Sequence, residues 1–240
     1  MTAVADKRRV RNEFLAMKRM EVRQPRTAIL TDIGSSTQQG SFWHLLDIHF
    51  AMNHSLVPFN TFTARNFDIS RYDVIVLMGR LMEGNDHPDA WKRLADWVES
   101  GGTLILVGEA HAVADKIGGD CVKSEGGRGV SGLVLSAEMT QPSPLFWGYG
   151  QQAIDVFKNN ANVWTVAPEA EVLMRYAAEP YRSGYVTPEQ LAAIAGTPLV
   201  ALQRKAEGRI LYIQEDFAYR AYWLGTNHIL SNALFFGDRL

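Results

Sequence analysis

Cysteine is almost absent from this chain of 240 residues, since Cys121 is the only one. A lone cysteine excludes an internal disulfide and a zinc cluster held by cysteines. An excess of one charge is missing as well, because 24 lysines and arginines face 26 aspartates and glutamates, for a net charge of −2. This balance gives no electrostatic reason to expect binding to nucleic acid or to an anionic membrane surface.

Long hydrophobic runs are also lacking. No apolar run in the sequence is long enough to span a bilayer, and the first residues lack the apolar core of a signal peptide. We therefore expect no membrane insertion and no nucleic-acid partner, and the compartment stays open. The residues that are present, 47% hydrophobic and 21% charged, are typical of an ordinary globular protein.

The N-terminal stretch, Met1 to Pro25, is more charged than the rest of the chain. Basic residues such as Lys7 are interleaved there with acidic residues such as Glu13. This mixture favours a linker or an N-terminal extension over an arm that binds nucleic acid. The remainder, residues 26–240, contains no internal repeat and no further linker, which predicts one α/β domain.

Two continuous apolar runs joined by a helical pattern dominate the middle of the domain. The runs are Tyr72–Met78 and Thr103–Val107. Between them, Asp89–Ser100 carries tryptophans and aliphatic residues at helical spacing, and Gly101 and Gly102 close the pattern. Strands that are apolar throughout are typical of a parallel sheet buried on both faces. The pattern therefore predicts a βαβ unit.

The second half of the domain is rich in short β-like segments separated by prolines. The candidate strands are Gly132–Ser136, Ala153–Phe157, Val163–Val166, Val172–Tyr176, Leu199–Gln203 and Ile210–Ile213. Ser41 is a plausible N-cap for a helix over Phe42–Asn53, and a last helix is expected over Thr226–Phe236. The predicted fold class is α/β, with a mostly parallel sheet flanked by helices and a β-rich insertion in the second half.

Polar side chains gather where the predicted strands end. They are Asp32, Arg80, Glu109, His111, Glu215, Asp216 and Arg220. In a parallel sheet the carboxyl ends of the strands share one edge, where such folds place ligands. Two interpretations stay open: an acid/base or ligand-binding crevice, or a set of capping and solvated loop residues.

Metal ligands and nucleophiles are both hard to find in the sequence. His44, His49 and His54 recur every five residues, a spacing that turns them around a helix instead of placing them on one face. The tight pair Glu109-x-His111 is more typical of a hydrogen-bonded loop than of a zinc site. A strand-to-helix elbow needs serine or cysteine at its tip, and here the tip is predicted at Glu109-Ala110. Cys121 lies too far into the glycine-rich loop Gly118–Gly132, predicted to be a mobile surface loop, to replace it.

Several short motifs occur in an order that resembles a known domain. They are Tyr72–Leu77 followed by Gly79, Trp97–Leu104, Ser143–Tyr149, Ser183–Tyr185, Gly208–Ile210, Phe217-x-x-Arg220 and Asn232–Leu234. Together they resemble the class I glutamine-amidotransferase-like fold, which is flavodoxin-like. More closely, they resemble the C-terminal domain of bacterial zinc carboxypeptidases of the M14 type.

The resemblance implies the scaffold without the glutaminase. The elbow Gly-x-Cys-x-Gly of the amidotransferases would fall on Gly108–Ala112, with Ala110 in place of the cysteine. Glu215 and Asp216 follow the last strand, where the catalytic histidine and glutamate should stand, and no histidine is there. The resemblance also implies that zinc and its ligands belong to an upstream peptidase domain. We expect no cofactor in this chain, and the family suggests a periplasmic or secreted location.

The function that the resemblance implies is a non-catalytic accessory domain, a pseudoenzyme, associated with a zinc metallocarboxypeptidase whose proteolysis resides in a separate upstream domain. Its expected partner is that domain or a second copy of itself. One alternative is a small-molecule module that binds a sugar or a peptide in a crevice formed by Asp32, Arg80, Glu109, His111 and Arg220. Another is a hydrolase that uses Glu109 and His111. Burial of Glu109 would favour the hydrolase, and exposure would count against it.

Overall fold

A computed structural model describes residues 23–31, 36–80, 86–119, 121–126, 129–130, 132–160 and 162–240. Its strands are β1 (Thr27–Thr31), β2 (His54–Pro58), β3 (Val74–Met78), β4 (Thr103–Val107), β5 (Val122–Glu125), β6 (Leu133–Met139), β7 (Ala153–Lys158), β8 (Val163–Val166), β9 (Ala170–Ser183), β10 (Pro198–Lys205) and β11 (Gly208–Ile213). The predicted linker is outside the described residues up to position 22, so its role stays a prediction.

Nine of these strands form one mixed sheet in the order β2-β1-β3-β4-β11-β10-β9-β6-β7. The strands from β2 to β11 run parallel to one another. The strands from β11 to β7 are antiparallel. This arrangement confirms the predicted α/β fold class, and the β-rich second half extends the central sheet.

The helices flank this sheet. They are α1 (Ser36–His44, continued by a π-helical turn over Leu45–His49), α2 (Phe59–Thr63), α3 (Pro88–Glu99), α4 (Pro188–Ile194) and α5 (Asn227–Phe235), and a 3-10 segment covers Gly108–Ile117. None of the described helices is long and apolar enough to cross a membrane.

The start of α1 differs from the prediction. Ser41 was expected to cap a helix over Phe42–Asn53, but it lies inside α1, where its Oγ donates to the Thr37 carbonyl at 2.9 Å. The helical stretch also ends earlier, at His49, and Ala51 takes a left-handed φ of 47° that a helix does not continue through.

Two apolar layers lie on the two faces of the sheet because the central strands alternate. Val74 and Val76 of β3 pack in the layer that contains α1 and α5. Ile75 and Leu77 pack in the layer that contains α2 and α3. All of β3 and β4 is therefore buried, as the continuous apolar runs predict.

A second, two-stranded sheet pairs β5 with β8. It corrects the prediction of a mobile surface loop over Gly118–Gly132, because Val122–Glu125 is a strand. Cys121, which was assigned to that surface loop, is buried with 6% exposure.

The motif Ser143–Tyr149 attaches α5 to the rest of the fold. The Asn232 side-chain amide of α5 donates to the carbonyls of Leu145 at 3.0 Å and Trp147 at 2.8 Å. The Tyr149 hydroxyl donates to the Gly225 carbonyl at 2.8 Å, just before the helix. These bonds give the motif a structural role.

The hairpin between β10 and β11 contains a strained alanine. Its two-residue turn is Ala206-Glu207, and Ala206 has a φ of 49°. A turn with positive φ at its first central residue favours glycine there, because a Cβ is strained in the left-handed region. We expect Ala206→Gly to raise the free energy of unfolding by about 1 kcal/mol in urea denaturation.

The matched control is Glu207→Gly at the other turn position, whose φ is not positive. Glycine relieves no strain there and adds conformational freedom to the unfolded chain, so we expect a small loss of stability. Equal effects of the two substitutions would contradict the assignment of strain to Ala206.

Candidate functional site

A cavity of about 520 Å³ lies at the carboxyl ends of β3, β4 and β11. We call it the crevice. Four of the five residues predicted for it line its wall, namely Arg80, Glu109, His111 and Arg220. The fifth, Asp32, lies outside the described residues. The topology accounts for the meeting of the four, because parallel strands end at a common edge.

The loop after β7, the two-stranded sheet and α1 supply a wall of the crevice that sequence reasoning missed. Asn160 and Asn162 follow β7, and Trp164 lies in β8. Gln38 of α1 adds another amide. The local sequence reveals little of this wall, because most of these residues reach the crevice only through the pairing of strands that are distant in sequence. The polar run Asn159-Asn160 after an apolar strand was the one available signal.

The elbow after β4 turns at a different residue from the one predicted. Gly108, directly after the strand, has the left-handed φ of 63°. Ala110 lies two residues further, buried in the 3-10 segment with 1% exposure. The predicted tip at Glu109-Ala110 is therefore wrong by at least one residue. Neither Gly108 nor Ala110 carries the hydroxyl or thiol of a serine or cysteine nucleophile, and the one side chain between them that could attack is the Glu109 carboxylate.

Glu109 is exposed at the mouth of the crevice. His111 is half-buried, with Nδ1 at 3.0 Å from the Gly108 carbonyl oxygen and its ring 5.4 Å from the Trp164 ring. An exposed carboxylate lacks the low-polarity surroundings that tune a general acid. This geometry counts against the hydrolase interpretation.

A buried charged network lies beneath the crevice. Lys158 and Glu215 have side-chain exposures of 0% and 1%, and Lys158 Nζ donates to Glu215 Oε1 at 2.7 Å. Lys158 also donates to the Asn162 carbonyl at 2.8 Å. Glu215 further accepts from the Asn160 amide at 2.9 Å and from the Tyr176 hydroxyl at 3.0 Å. The network thus fixes the loop that carries both asparagines of the crevice wall.

The same network changes the acidity of Tyr176. Complete burial, and then the nearby Glu215 charge, raise the pKa of the Tyr176 hydroxyl well above its usual range. The hydroxyl therefore stays protonated and donates to the carboxylate, as the geometry requires.

Asp216 lies in the crevice wall with 5% exposure. Its Oδ1 accepts the Ala218 N–H at 3.0 Å, while Oδ2 has no hydrogen-bond partner in the part of the chain that the structure describes. Burial raises the pKa of this carboxyl to about 7, and the hydrogen bond from Ala218 partly opposes the shift. A protonated Asp216 would offer a hydrogen-bond donor where an ionised one offers only acceptors.

Arg220 enters the crevice from a strained backbone. Its φ is 48°, and the next residue, Ala221, has a φ of 59°. The Arg220 N–H donates to Ser41 Oγ at 3.0 Å, and its guanidinium carbon lies 5.3 Å from the centre of the Tyr219 ring. Consecutive left-handed residues other than glycine persist only where surrounding contacts hold them, and such strain is concentrated at functional sites.

Arg80 reaches the crevice from the end of β3. It follows Gly79, which is buried, has a φ of 84° and donates its N–H to the Val107 carbonyl at 3.3 Å. This bond joins the ends of β3 and β4 and places the exposed Arg80 between them. Neither Arg80 nor Arg220 forms an ion pair with any described residue.

Among the described residues, no group of three or more histidine, cysteine, aspartate or glutamate side chains is placed to hold a metal ion. The expectation that a five-residue spacing turns the histidines around a helix is wrong for one pair, because the π-helical turn over Leu45–His49 brings His44 and His49 together. His44 and His49 lie edge to face with ring centres 5.4 Å apart, and His54 instead places Nδ1 at 2.9 Å from the Met52 carbonyl oxygen.

Comparison with known proteins identifies the fold. No protein-family model and no curated protein sequence matches the chain. A ThuA-like protein from Parabacteroides merdae has a TM-score of 0.62 and 13% identity, covering 90% of this chain and 91% of its own. A glutamine amidotransferase from Thermotoga maritima has a TM-score of 0.51 and 10% identity, covering 80% of this chain and 75% of its own.

A third match is to part of a larger protein. A β-galactosidase from Bacillus circulans sp. alkalophilus has a TM-score of 0.54 and 13% identity, covering 90% of this chain but 32% of its own. Together these structures give the chain a glutamine-amidotransferase-like fold, as the sequence motifs imply. At such low identity the likeness concerns the fold alone, and it says nothing of a carboxypeptidase.

Proposed function

We propose that this chain is a non-catalytic amidotransferase-like module that binds a small, hydroxyl-rich ligand such as a sugar in the crevice. One observation carries the proposal. Residues from separate elements, among them Arg80, His111, Asn160 and Arg220, converge on a cavity of about 520 Å³, the size range of small-molecule sites.

The chemistry of the wall favours binding over catalysis. The elbow residues Gly108 and Ala110 supply no nucleophile, and Glu109 is exposed. The rest of the wall contains amide donors and acceptors, such as the Asn159 and Asn162 side chains, and the half-buried Tyr219 ring. Amides that pair with hydroxyl groups, close to an aromatic ring, suit a polar ligand with an apolar face.

Substitution of Arg80 tests the crevice. In ligand-observed NMR with a library of monosaccharides, disaccharides, sugar acids and short peptides, we expect at least one sugar or sugar derivative to bind the wild-type chain. Arg80→Ala removes a charged donor from the wall, so we expect it to weaken that binding by about ten-fold or more. Titration of the best ligand against both proteins measures the change.

Arg65→Ala is the matched control, because Arg65 is exposed, has no ion pair among the described residues and lies outside the crevice. It should leave binding unchanged. Failure of the whole library to bind, or equal binding by the Arg80 and Arg65 variants, would reject the proposal. The alternative interpretation, a hydrolase, predicts that Glu109→Ala abolishes turnover of a chromogenic glycoside or peptide substrate. An unchanged rate would reject that interpretation.

A second candidate concerns the protein around this domain. The order of the sequence motifs, Ser143–Tyr149 among them, is what supports the finer resemblance to the accessory domain of M14 zinc carboxypeptidases. The β-galactosidase match, which covers 32% of that protein, is an instance of this fold within a larger enzyme. In this proposal the partner is an upstream zinc-dependent peptidase domain or a second copy of the chain.

The intact mass of the native protein tests this second candidate. The protein is captured from its source cells with an antibody against the domain, and its mass and zinc content are measured. A zinc-containing product much heavier than this chain and extended at its N-terminus supports the peptidase partner. A product of the mass of this chain rejects the covalent association.

A further inference from the structure

The two arginines of the crevice are unlike other described arginines that lie near carboxylates. Arg26 pairs with Asp73 at 2.8 Å, and Arg182 pairs with Asp155 at 3.3 Å. Arg80 and Arg220 share their cavity with Glu109, yet neither forms an ion pair with it. As far as the described residues go, two guanidinium groups therefore lie on the wall of one cavity without a carboxylate partner.

The backbone conformation of Arg220 is strained, so holding the residue there costs conformational free energy. Its left-handed backbone is held by the bond from its N–H to Ser41 Oγ, and its guanidinium lies near the Tyr219 ring. The Tyr219 ring is itself stacked on Phe157 with ring centres 4.4 Å apart. A guanidinium that lies near an aromatic ring leaves the N–H groups at its edge available to a planar oxyanion. The Arg220 guanidinium is therefore a preorganised hydrogen-bond donor.

We infer that the ligand of the crevice carries an oxyanion, as a sugar acid or a sugar phosphate does, and that the guanidinium groups of Arg80 and Arg220 bind it. This inference rests on the proposed function and narrows it to one class of ligand. Carboxylate and phosphate share the chemistry that a pair of arginines recognises, so the experiment has an arm for each.

The negative groups of the crevice do not cancel this preference. Glu109 is exposed, as Arg80 and Arg220 are, so solvent screens the three charges alike. Asp216 is buried with a pKa raised to about 7, so at neutral pH much of it is uncharged. In the part of the wall that the structure describes, two arginines therefore accompany one exposed carboxylate and one carboxyl with a raised pKa, a balance that favours an anionic ligand.

Calorimetric titration with glucose, glucuronate and glucose 6-phosphate tests the inference. We expect at least one of the two anions to bind about ten-fold more tightly than glucose, and its affinity to fall as salt is added. Arg80→Gln and Arg220→Gln keep side-chain bulk and remove the charge, so each should abolish the preference. Arg65→Gln should retain it. Glucuronate as the tighter ligand assigns a carboxylate, and glucose 6-phosphate assigns a phosphate.

Equal affinity for the three compounds, or a preference for glucose, overturns the inference and leaves the proposed function standing. Failure of all three to bind, while a neutral sugar from the library binds, has the same meaning. Failure of the entire library rejects both. A preference for the anion that survives in both arginine variants also overturns the inference, because the oxyanion would then be bound elsewhere.

Discussion

Lys158→Met should destabilise the protein by about 3–5 kcal/mol, because it leaves the Glu215 carboxylate buried without its positive partner. Methionine fills most of the space of the lysine stem, so the effect reports on charge and hydrogen bonding more than on a cavity. The substitution also removes the donor to the Asn162 carbonyl. The free energy of unfolding from urea denaturation at neutral pH measures the loss.

Two further variants separate the explanations. Lys92→Met breaks an equally short pair, 2.6 Å from Nζ to Asp96 Oδ2, but both side chains are exposed, and we expect little change. The double variant Lys158→Met with Glu215→Gln removes both charges and should recover a large part of the loss. A loss under about 1 kcal/mol for the single variant would contradict a tightly coupled buried pair.

The free energy of unfolding should fall as the pH rises from about 4 to about 8, by roughly 4 kcal/mol more in the wild type than in Asp216→Asn. The unfolded carboxyl ionises near 3.8, whereas the folded carboxyl keeps its proton up to about pH 7. The stability that this group contributes is complete below pH 3.8 and is lost as the pH approaches 7. Asparagine cannot ionise and still accepts the Ala218 N–H.

Denaturation curves at a series of pH values test this expectation, since other groups titrate in both proteins and cancel in the difference. Asp115→Asn, at an exposed position of the 3-10 segment, is the control, and its free energy of unfolding should change with pH as that of the wild type does. A constant difference between wild type and Asp216→Asn across the pH range would mean that the folded carboxyl ionises as freely as the unfolded one.

The parallel half of the fold was predictable because its signals are local. The runs Tyr72–Met78 and Thr103–Val107 are apolar at every central position, and the structure buries all of β3 and β4. The cluster of tryptophans and aliphatic residues before Gly101 likewise marks the helix α3. Position 102 requires glycine, because a Cβ there would come within 2.5 Å of the Trp97 ring.

Other elements were missed although a signal existed. Pro188 is one of the prolines that separate the β-like segments of the second half, yet it is the first residue of α4, whose N-terminus has a capping box formed by Thr187 and Gln190. The start of α1 at Ser36 was missed because the polar residues after it resemble a loop. For α4 the capping box was a usable local signal, whereas for α1 packing decides between helix and loop.

The crevice was only partly predictable for a different reason. Arg80, Glu109, His111 and Arg220 follow strands of the parallel half or its last strand, so the rule of carboxyl ends applies to them. The pair of Lys158 and Glu215 joins positions 57 residues apart, and no spacing rule links them. Their contact depends on how the antiparallel strands return to the sheet.

The position of β11 governs when this fold can be completed. It is the last strand along the chain, yet it occupies the middle of the nine-stranded sheet, between β4 and β10. On the ribosome, β4 is synthesised about a hundred residues before its neighbour β11. Until β11 emerges, one edge of this largely apolar strand has no hydrogen-bonding partner strand. The two halves of the sheet, and the crevice between them, can join only after β11 has emerged.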